Sequence, residues 1–178
     1  AYAMTEPDRA SSDAKNIACQ AELIGDEWVL NGEKFYISGA GDLSIQGFAT
    51  EISVNKGETV RFKIKTNASA YHIDIYRLGY YQGNGARNVG AGVVTATLPQ
   101  TQPTDLYDSA TGLTDCGNWS ESAHWDVPAT AVSGIYLAKL TRDDTNGASH
   151  IAFVVRHDAS TSDLLFQTSD ATWQAYNN

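Results

Sequence analysis

The chain has 178 residues, 42% of them hydrophobic and 19% charged, with a net charge of −9 and a sequence pI near 4.7. That composition belongs to a folded protein rather than a disordered one. Its acidity argues against nucleic acid or an anionic membrane as principal partner, because both select basic patches. The length suits one domain and part of a second. No apolar run reaches membrane-spanning length and no signal peptide is recognisable. The two cysteines, Cys19 and Cys116, are far apart and belong to no paired motif, so no disulfide framework is expected. The chain begins at Ala1 without a Met and stops at Asn178 in mid-pattern, and both ends read as cuts.

Residues 1–14 are polar and interrupted by Pro7, which predicts a loop. A strand is expected over Asn16–Ile24. Glu27–Leu30 and Phe35–Ser38 flank Asn31-Gly32, a hairpin dipeptide, and the arm ends in the turn Ser38–Asp42. From Ile45 onward Ser, Thr, Asn, Gly and Tyr rise, and turn signals recur at the spacing of an all-β sandwich. Strands are predicted at Phe48–Val54, Thr59–Lys65, Tyr71–Arg77, Val89–Leu98, Trp119–Val127, Gly134–Arg142 and Ser149–Val155. Asn55-Lys56-Gly57 should close the first pair and Asp144–Gly147 the last. Tyr136, early in a late strand, is placed to bond back to the preceding corner. Asp158–Asp163 reads as a polar linker. Leu164-Leu165-Phe166 reads as the first strand of a parallel sheet buried on both faces. No repeat and no helix stands out.

The most distinctive stretch is Tyr71–Arg87, YHIDIYRLGYYQGNGAR. It alternates as a strand and then breaks into a loop rich in Gly and Tyr. Gly83-x-Gly85 and Gly90-x-Gly92 lack the third glycine of a dinucleotide fingerprint and read as turns. There is no P-loop and no nucleophile elbow, and nothing local supports a catalytic triad. His72 and Asp74 share a strand face at metal-ligand spacing but have no third ligand nearby in sequence, so they read as a surface pair. Asp143–Gly147 has part of a calcium-loop pattern, yet Arg142 stands at the first ligand position and no closing Glu follows, which leaves a hairpin turn. Tyr76, Tyr80, Tyr81, Trp119 and Trp125 are more aromatics than a small core needs. Packing against a partner domain is their expected role, with a sugar-stacking face as the alternative.

Two resemblances divide the chain. Residues 1–42, through Tyr2–Asp8, Ser11-Ser12-Asp13 and Asn31–Asp42, resemble the middle region of acyl-CoA dehydrogenases. The resemblance implies a β segment over the flavin of FAD. Thr5 would lie near the flavin ring, Ser12 near the cofactor or CoA, and Tyr36 and Ser38 on the flavin's other flank. That family usually has Trp where Tyr36 stands. Its catalytic glutamate and the helices completing the FAD site have no counterpart here.

Residues from about 38 to 178 resemble the large (beta) subunit of N,N-dimethylformamidase and its bacterial relatives. The resemblance rests on Ser44–Ser53, Tyr71–Arg87, Asp115–Trp119, Ser133–Tyr136 and Thr172–Asn178. It implies a β-sandwich ahead of an α/β domain that hydrolyses an amide C–N bond. It also implies iron held by tyrosines and a carboxylate, with Tyr176 as a metal-ligand candidate. The two families meet at Ile37–Asp42, which suits both, so the whole reads as a chimera or composite fragment.

The expectation is therefore an all-β protein. Residues 1–44 form a β-hairpin arm, 45–157 an immunoglobulin-like sandwich, and 158–178 a linker with the truncated start of an α/β domain. The leading functional reading is a non-catalytic accessory sandwich packing on the missing catalytic domain or on other subunits. In that reading the fragment carries no cofactor, and iron belongs to the complete enzyme. An FAD-binding dehydrogenase fragment is one alternative. Another is a self-assembling or adhesive module, a homo-oligomer paired through edge strands. The composition leaves cell location open, although few Lys with many Thr, Ser and Asn suit an exported bacterial domain.

Overall fold

The computed structural model describes residues 20–24, 27–31 and 42–168. The chain divides into two units, residues 1–41 and 42–178. In the first, β1 (Gln20–Ile24) and β2 (Glu27–Asn31) pair antiparallel, from Gln20 opposite Asn31 to Ile24 opposite Glu27. The innermost described pair is therefore Ile24 with Glu27. The hairpin expected at Asn31-Gly32, with Phe35–Ser38 as its return strand, falls outside the described residues.

The second unit contains β3 (Ile45–Ala49), β4 (Ser53–Asn55), β5 (Thr59–Thr66), β6 (Tyr71–Leu78), β7 (Ala86–Ala91) and β8 (Val93–Val94). These are followed by β9 (Leu106–Asp108), β10 (Leu113–Asp115), β11 (Ala123–Asp126), β12 (Gly134–Arg142) and β13 (Ala148–Arg156). One sheet has the order β3-β5-β11-β8, the other β4-β13-β12-β6-β7, and β9 and β10 form a small separate hairpin. No α-helix occurs among the described residues. The all-β sandwich is thus present, built on period-two burial. Val60, Phe62 and Ile64 of β5 face inward, as do Tyr71, Ile73 and Ile75 of β6. Tyr136, Ala138 and Leu140 of β12 and Ile151, Phe153 and Val155 of β13 meet them in one core. Aromatic rings join the two sheets. Phe62 lies 5.9 Å from Phe153, and Trp125 lies 5.7 Å from Tyr136 and 6.0 Å from Phe153.

Two predicted strands are each divided between the sheets. Phe48–Val54 was expected as one strand. Instead β3 pairs antiparallel with β5, and after Thr50–Ile52 the chain crosses so that β4 pairs parallel with β13. Asn55–Gly57 consequently links two sheets instead of closing a hairpin. Val89–Leu98 behaves likewise, with β7 beside β6 and β8 beside β11. The crossing is at Gly92, where an added Cβ would come within 3.1 to 3.3 Å of the Ile73 side chain. A strand that changes sheets keeps its local alternation, which is why the sequence pattern runs through the break. Trp119–Val127 shortens to β11: the Ser120 N–H is taken by the Gln102 side chain, whereas Ser122 still donates its N–H to the Phe62 carbonyl and accepts from the Thr95 N–H.

The Asp144–Gly147 turn does join β12 and β13, with the Arg142 N–H donating to the Gly147 carbonyl at 2.9 Å. Leu164, Leu165 and Phe166 form no strand. They have no partner strand among the described residues and are 90%, 94% and 76% exposed. Asp42 closes the start of the second unit. Its N–H donates to the Ala148 carbonyl at 2.8 Å, and its Oδ1 accepts from the Ser44 N–H and hydroxyl.

Arg142 ends the inward row of β12 and is buried. Its Nε and Nη2 grip the Asp144 carboxylate at 2.9 and 2.6 Å, and its Nη1 reaches Asn67 Oδ1. The Arg142 hydrogen bond and charge hold Asp144 at about 2, below the ordinary 3.8. An unfolded Asp titrates near 3.9, so this contribution is complete above about pH 5 and is lost as pH falls toward 2. Denaturant midpoints are expected to drop between about pH 5 and pH 2.5. In Asp144→Asn the drop should be shallower but not absent, since Ser44 depresses Asp42 and Arg156 depresses Asp158 in the same direction. An identical drop in Asp144→Asn would refute this assignment.

Candidate functional site

The inward row of β6 does not finish with an apolar residue. After Tyr71, Ile73 and Ile75 comes Arg77, at the end of the sandwich where Gly134 opens β12 opposite Val155 and where β13 ends at Arg156. The Arg77 guanidinium reaches across this end. Its Nε donates to the Val132 carbonyl at 3.3 Å and its Nη2 to the Ser133 carbonyl at 2.8 Å. Its Nη1 donates to the Tyr81 hydroxyl at 2.7 Å. The Val132 carbonyl also accepts from the Tyr136 hydroxyl at 2.6 Å, so the expected bond from Tyr136 back to the corner is present. Burial pushes the Tyr136 phenol up, against the opposing charges of Arg77 and Arg87.

The loop between β6 and β7 is closed by the Gly79 N–H donating to the Gly85 carbonyl at 2.9 Å, with a 3-10 turn at Tyr81–Gly83. Its backbone is left-handed at Tyr81, Gln82, Gly83 and Gly85, with φ of 39°, 60°, 94° and 72°. The two glycines accept this readily, whereas Tyr81 and Gln82 do so at a cost of roughly 1 kcal/mol each. Tyr81 is held there by the Arg77 hydrogen bond and by the Arg87 guanidinium, 4.8 Å over its ring. Tyr80, the next residue back, is left 83% exposed on a braced loop.

Beside this loop lies an open pocket of about 320 Å³. Trp125, Val89 and Tyr136 line it, Val132 stands at its lip, and Arg77 and Arg87 supply two cations.

A second aromatic cluster sits on the four-stranded sheet. Trp119 lies 5.9 Å from Phe48, Lys65 Nζ is 5.6 Å over the Trp119 ring, and Lys63 Nζ is 5.9 Å over Phe48. Trp119 Nε1 is buried without a hydrogen-bond partner among the described residues. Burial pushes the nearby Cys116 thiol up, and Asp105 and Asp115 add to the effect, so it is protonated at neutral pH and a poor nucleophile.

The aromatics predicted for partner packing thus separate. Tyr80 and Tyr81 share the Arg77 end, Tyr76 is half-buried on the outward face of β6, and Trp119, in a bend before β11, packs on Phe48 of the other sheet. Trp125 requires a correction. It is 6% exposed and packed between the sheets, so it is a core residue that lines the pocket rather than an exposed aromatic. Its position on the inward row of β11, beside Tyr136 and Phe153, is the reason. Thr5, Ser12, Tyr36, Ser38 and Tyr176 lie outside the described residues. His72 Nδ1 lies 2.7 Å from Asp143 Oδ1 and its Nε2 3.7 Å from Asp74. The described residues contain no group of three or more His, Cys, Asp or Glu placed to hold a metal. Arg77, Arg87 and Val132 were missed as site residues. The available signal was an arginine at the end of a core-facing row, where an apolar residue is the norm.

Comparison with known proteins gives two separate matches. The family described as N,N-dimethylformamidase beta subunit-like, C-terminal, matches residues 72–178. This chain belongs to that family. The match runs from within β6 to Asn178 and contains every residue lining the pocket.

The curated relatives are of another kind. Acyl-CoA dehydrogenase family member 11 is 54% identical over 41 residues in both Gallus gallus and Homo sapiens, covering 23% of this chain and 5% of the relative. Probable acyl-CoA dehydrogenase FadE2 of Mycobacterium tuberculosis is 50% identical over 42 residues, covering 24% of this chain and 10% of the relative. The dimethylformamidase-like chain therefore spans a tenth or less of the length of these relatives. Two families in one chain is what the sequence resemblances predict.

Proposed function

We propose that this chain is the accessory β-sandwich of a dimethylformamidase-like amide hydrolase, an immunoglobulin-like module that packs on the domain carrying the chemistry. The carrying observation is Tyr80, 83% exposed on a loop braced by Arg77 and Arg87. A rigid, exposed aromatic loses little entropy on being covered, which is the property of an interface anchor. Its location supports the reading. The loop lies at the end of the sandwich where the chain leaves β13 at Arg156, followed within a few residues by exposed Leu164, Leu165 and Phe166. Three consecutive large apolar side chains in water call for cover.

On this reading the complete enzyme splits an amide C–N bond with water. The iron implied by the resemblance belongs to that enzyme. Tyr176, the residue named for it, lies outside the described residues, and no step is routed through it.

The test uses the complete subunit. Sandwich and catalytic domain should unfold in one transition, which Tyr80→Ala divides into two while exposing the 158–163 linker to protease. Dimethylformamide hydrolysis by the isolated chain, or an unaltered single transition in Tyr80→Ala, would overturn the proposal. The flavin-binding alternative draws support from the short acyl-CoA dehydrogenase matches. It requires the chain to quench added FAD fluorescence, and it fails if the fluorescence is unchanged.

A further inference from the structure

Five arginines lie among the described residues, and three of them pair with carboxylates: Arg61 with Glu121, Arg142 with Asp144 and Arg156 with Asp158. The remaining two, Arg77 and Arg87, have no carboxylate partner among the described residues, although the chain carries 21 acidic residues against 12 basic ones. Both line the same pocket. Arg77 uses one N–H of each nitrogen on Val132, Ser133 and Tyr81, which leaves two of its five donors. The Arg87 side chain is exposed, stacks on Tyr81 and makes no hydrogen bond among the described residues, so its planar fork is free. The same pocket is lined by apolar side chains of Val89, Trp125 and Val132 and by Tyr136. At about 320 Å³ the cavity falls at the small end of ligand sites.

We propose that this pocket binds an organic carboxylate, with the acid on Arg87 and the spare donors of Arg77 and a compact apolar body against Trp125, Val89 and Val132. The site itself does not depend on the accessory-domain reading, because it rests on the pocket and not on Tyr80; only a packed-domain source of the acid rests on that reading. An acid with no apolar body would leave the Trp125 wall wet. A neutral ligand would leave two guanidinium groups lining one pocket with nothing to offset their charge. Two sources carry this chemistry: a free small acid, and an acidic side chain presented by a packed domain.

The probe is 3-phenylpropionate, with 3-phenylpropionamide as its neutral isostere, followed through the indole N–H resonance of Trp125 assigned with Trp125→Phe. The acid is expected to shift that resonance saturably, with a dissociation constant on the order of 1 mM. The amide should bind at least about tenfold more weakly, and Arg87→Gln should weaken the acid by about tenfold, through loss of a charge-assisted hydrogen bond. Arg87 is exposed, so the variant should fold, and an unchanged thermal midpoint checks this. Equal affinity for acid and amide, unchanged affinity in Arg87→Gln, or no saturable shift at Trp125 would each overturn the proposal. In the complete subunit, continued uptake of the free acid identifies a small-molecule site. Loss of uptake there, together with greater protease access to the 158–163 linker in Arg87→Gln than in wild type, identifies a side chain of the packed domain.

Discussion

Phe153→Ala is expected to destabilise the sandwich by about 3–5 kcal/mol, the range for deleting a large buried aromatic. The ring is 1% exposed and lies within 5.7 to 6.0 Å of the ring centres of Tyr136, Phe62 and Trp125. It touches both sheets, so neither can close the cavity without moving the other. A domain of this size has about 5–15 kcal/mol in total, so the variant should be partly unfolded at moderate urea. The consequence reaches the pocket, since Trp125 and Tyr136 rest on this ring. Their resonances should broaden under conditions where the variant is still folded. Phe153→Leu, which retains most of the volume, should cost less than about 1.5 kcal/mol. Urea midpoints measure both, and a loss below about 1 kcal/mol for the alanine variant would mean that the two sheets do not interlock at this ring.

Ser122→Ala is expected to cost about 1–3 kcal/mol, far above an exposed Ser→Ala, because it strands a buried backbone donor. The Ser122 hydroxyl accepts from the Ile64 N–H at 2.9 Å and donates to the Ile64 carbonyl at 3.0 Å, both at fully buried positions. One hydroxyl here takes the place of a ladder pair between β5 and the chain leading into β11. Gln102 completes the group: its Nε2 donates to the Ile64 and Ser120 carbonyls and its Oε1 accepts from the Ser120 N–H. Removing the hydroxyl leaves the Ile64 carbonyl with Gln102 but the Ile64 N–H with nothing. The cost should therefore couple to Gln102→Ala by at least about 0.5 kcal/mol in a double-mutant cycle. Strict additivity, measured by urea denaturation, would show that the two side chains act separately.

Much of the sandwich was legible because strand burial has a short period. Tyr71, Ile73 and Ile75 alternate in sequence and are buried in space, and Gly134–Arg142 was predicted to the residue. Asp144–Gly147 declared its turn through Asn and Gly, with Asn146 at φ 58°. Tyr136 announced its corner. The pocket was less legible. Trp125 reads from sequence as one aromatic among several, and only the packing of β11 on β12 turns it inward. Arg77 carries no local mark of its two carbonyl acceptors, because Val132 and Ser133 are 55 and 56 residues away. Leu164–Phe166 looks like a buried strand from composition alone, but a strand also needs neighbours, and none pairs with it among the described residues.

The Tyr71–Arg87 stretch shows where the division falls. By itself the sequence determined that this segment is a strand running into a glycine-kinked aromatic loop, and that the chain carries two family resemblances. Those properties depend on residues a few positions apart, where side-chain direction and backbone freedom are set locally. Only the tertiary structure decided that β3 and β4 lie in different sheets, that Arg77 and Arg87 clamp Tyr81, and that Tyr80 is left in water beside a cationic pocket. Each of these is a choice among distant partners, governed by which hydrogen bonds and apolar faces remain once the sheets have closed, and no local pattern records it.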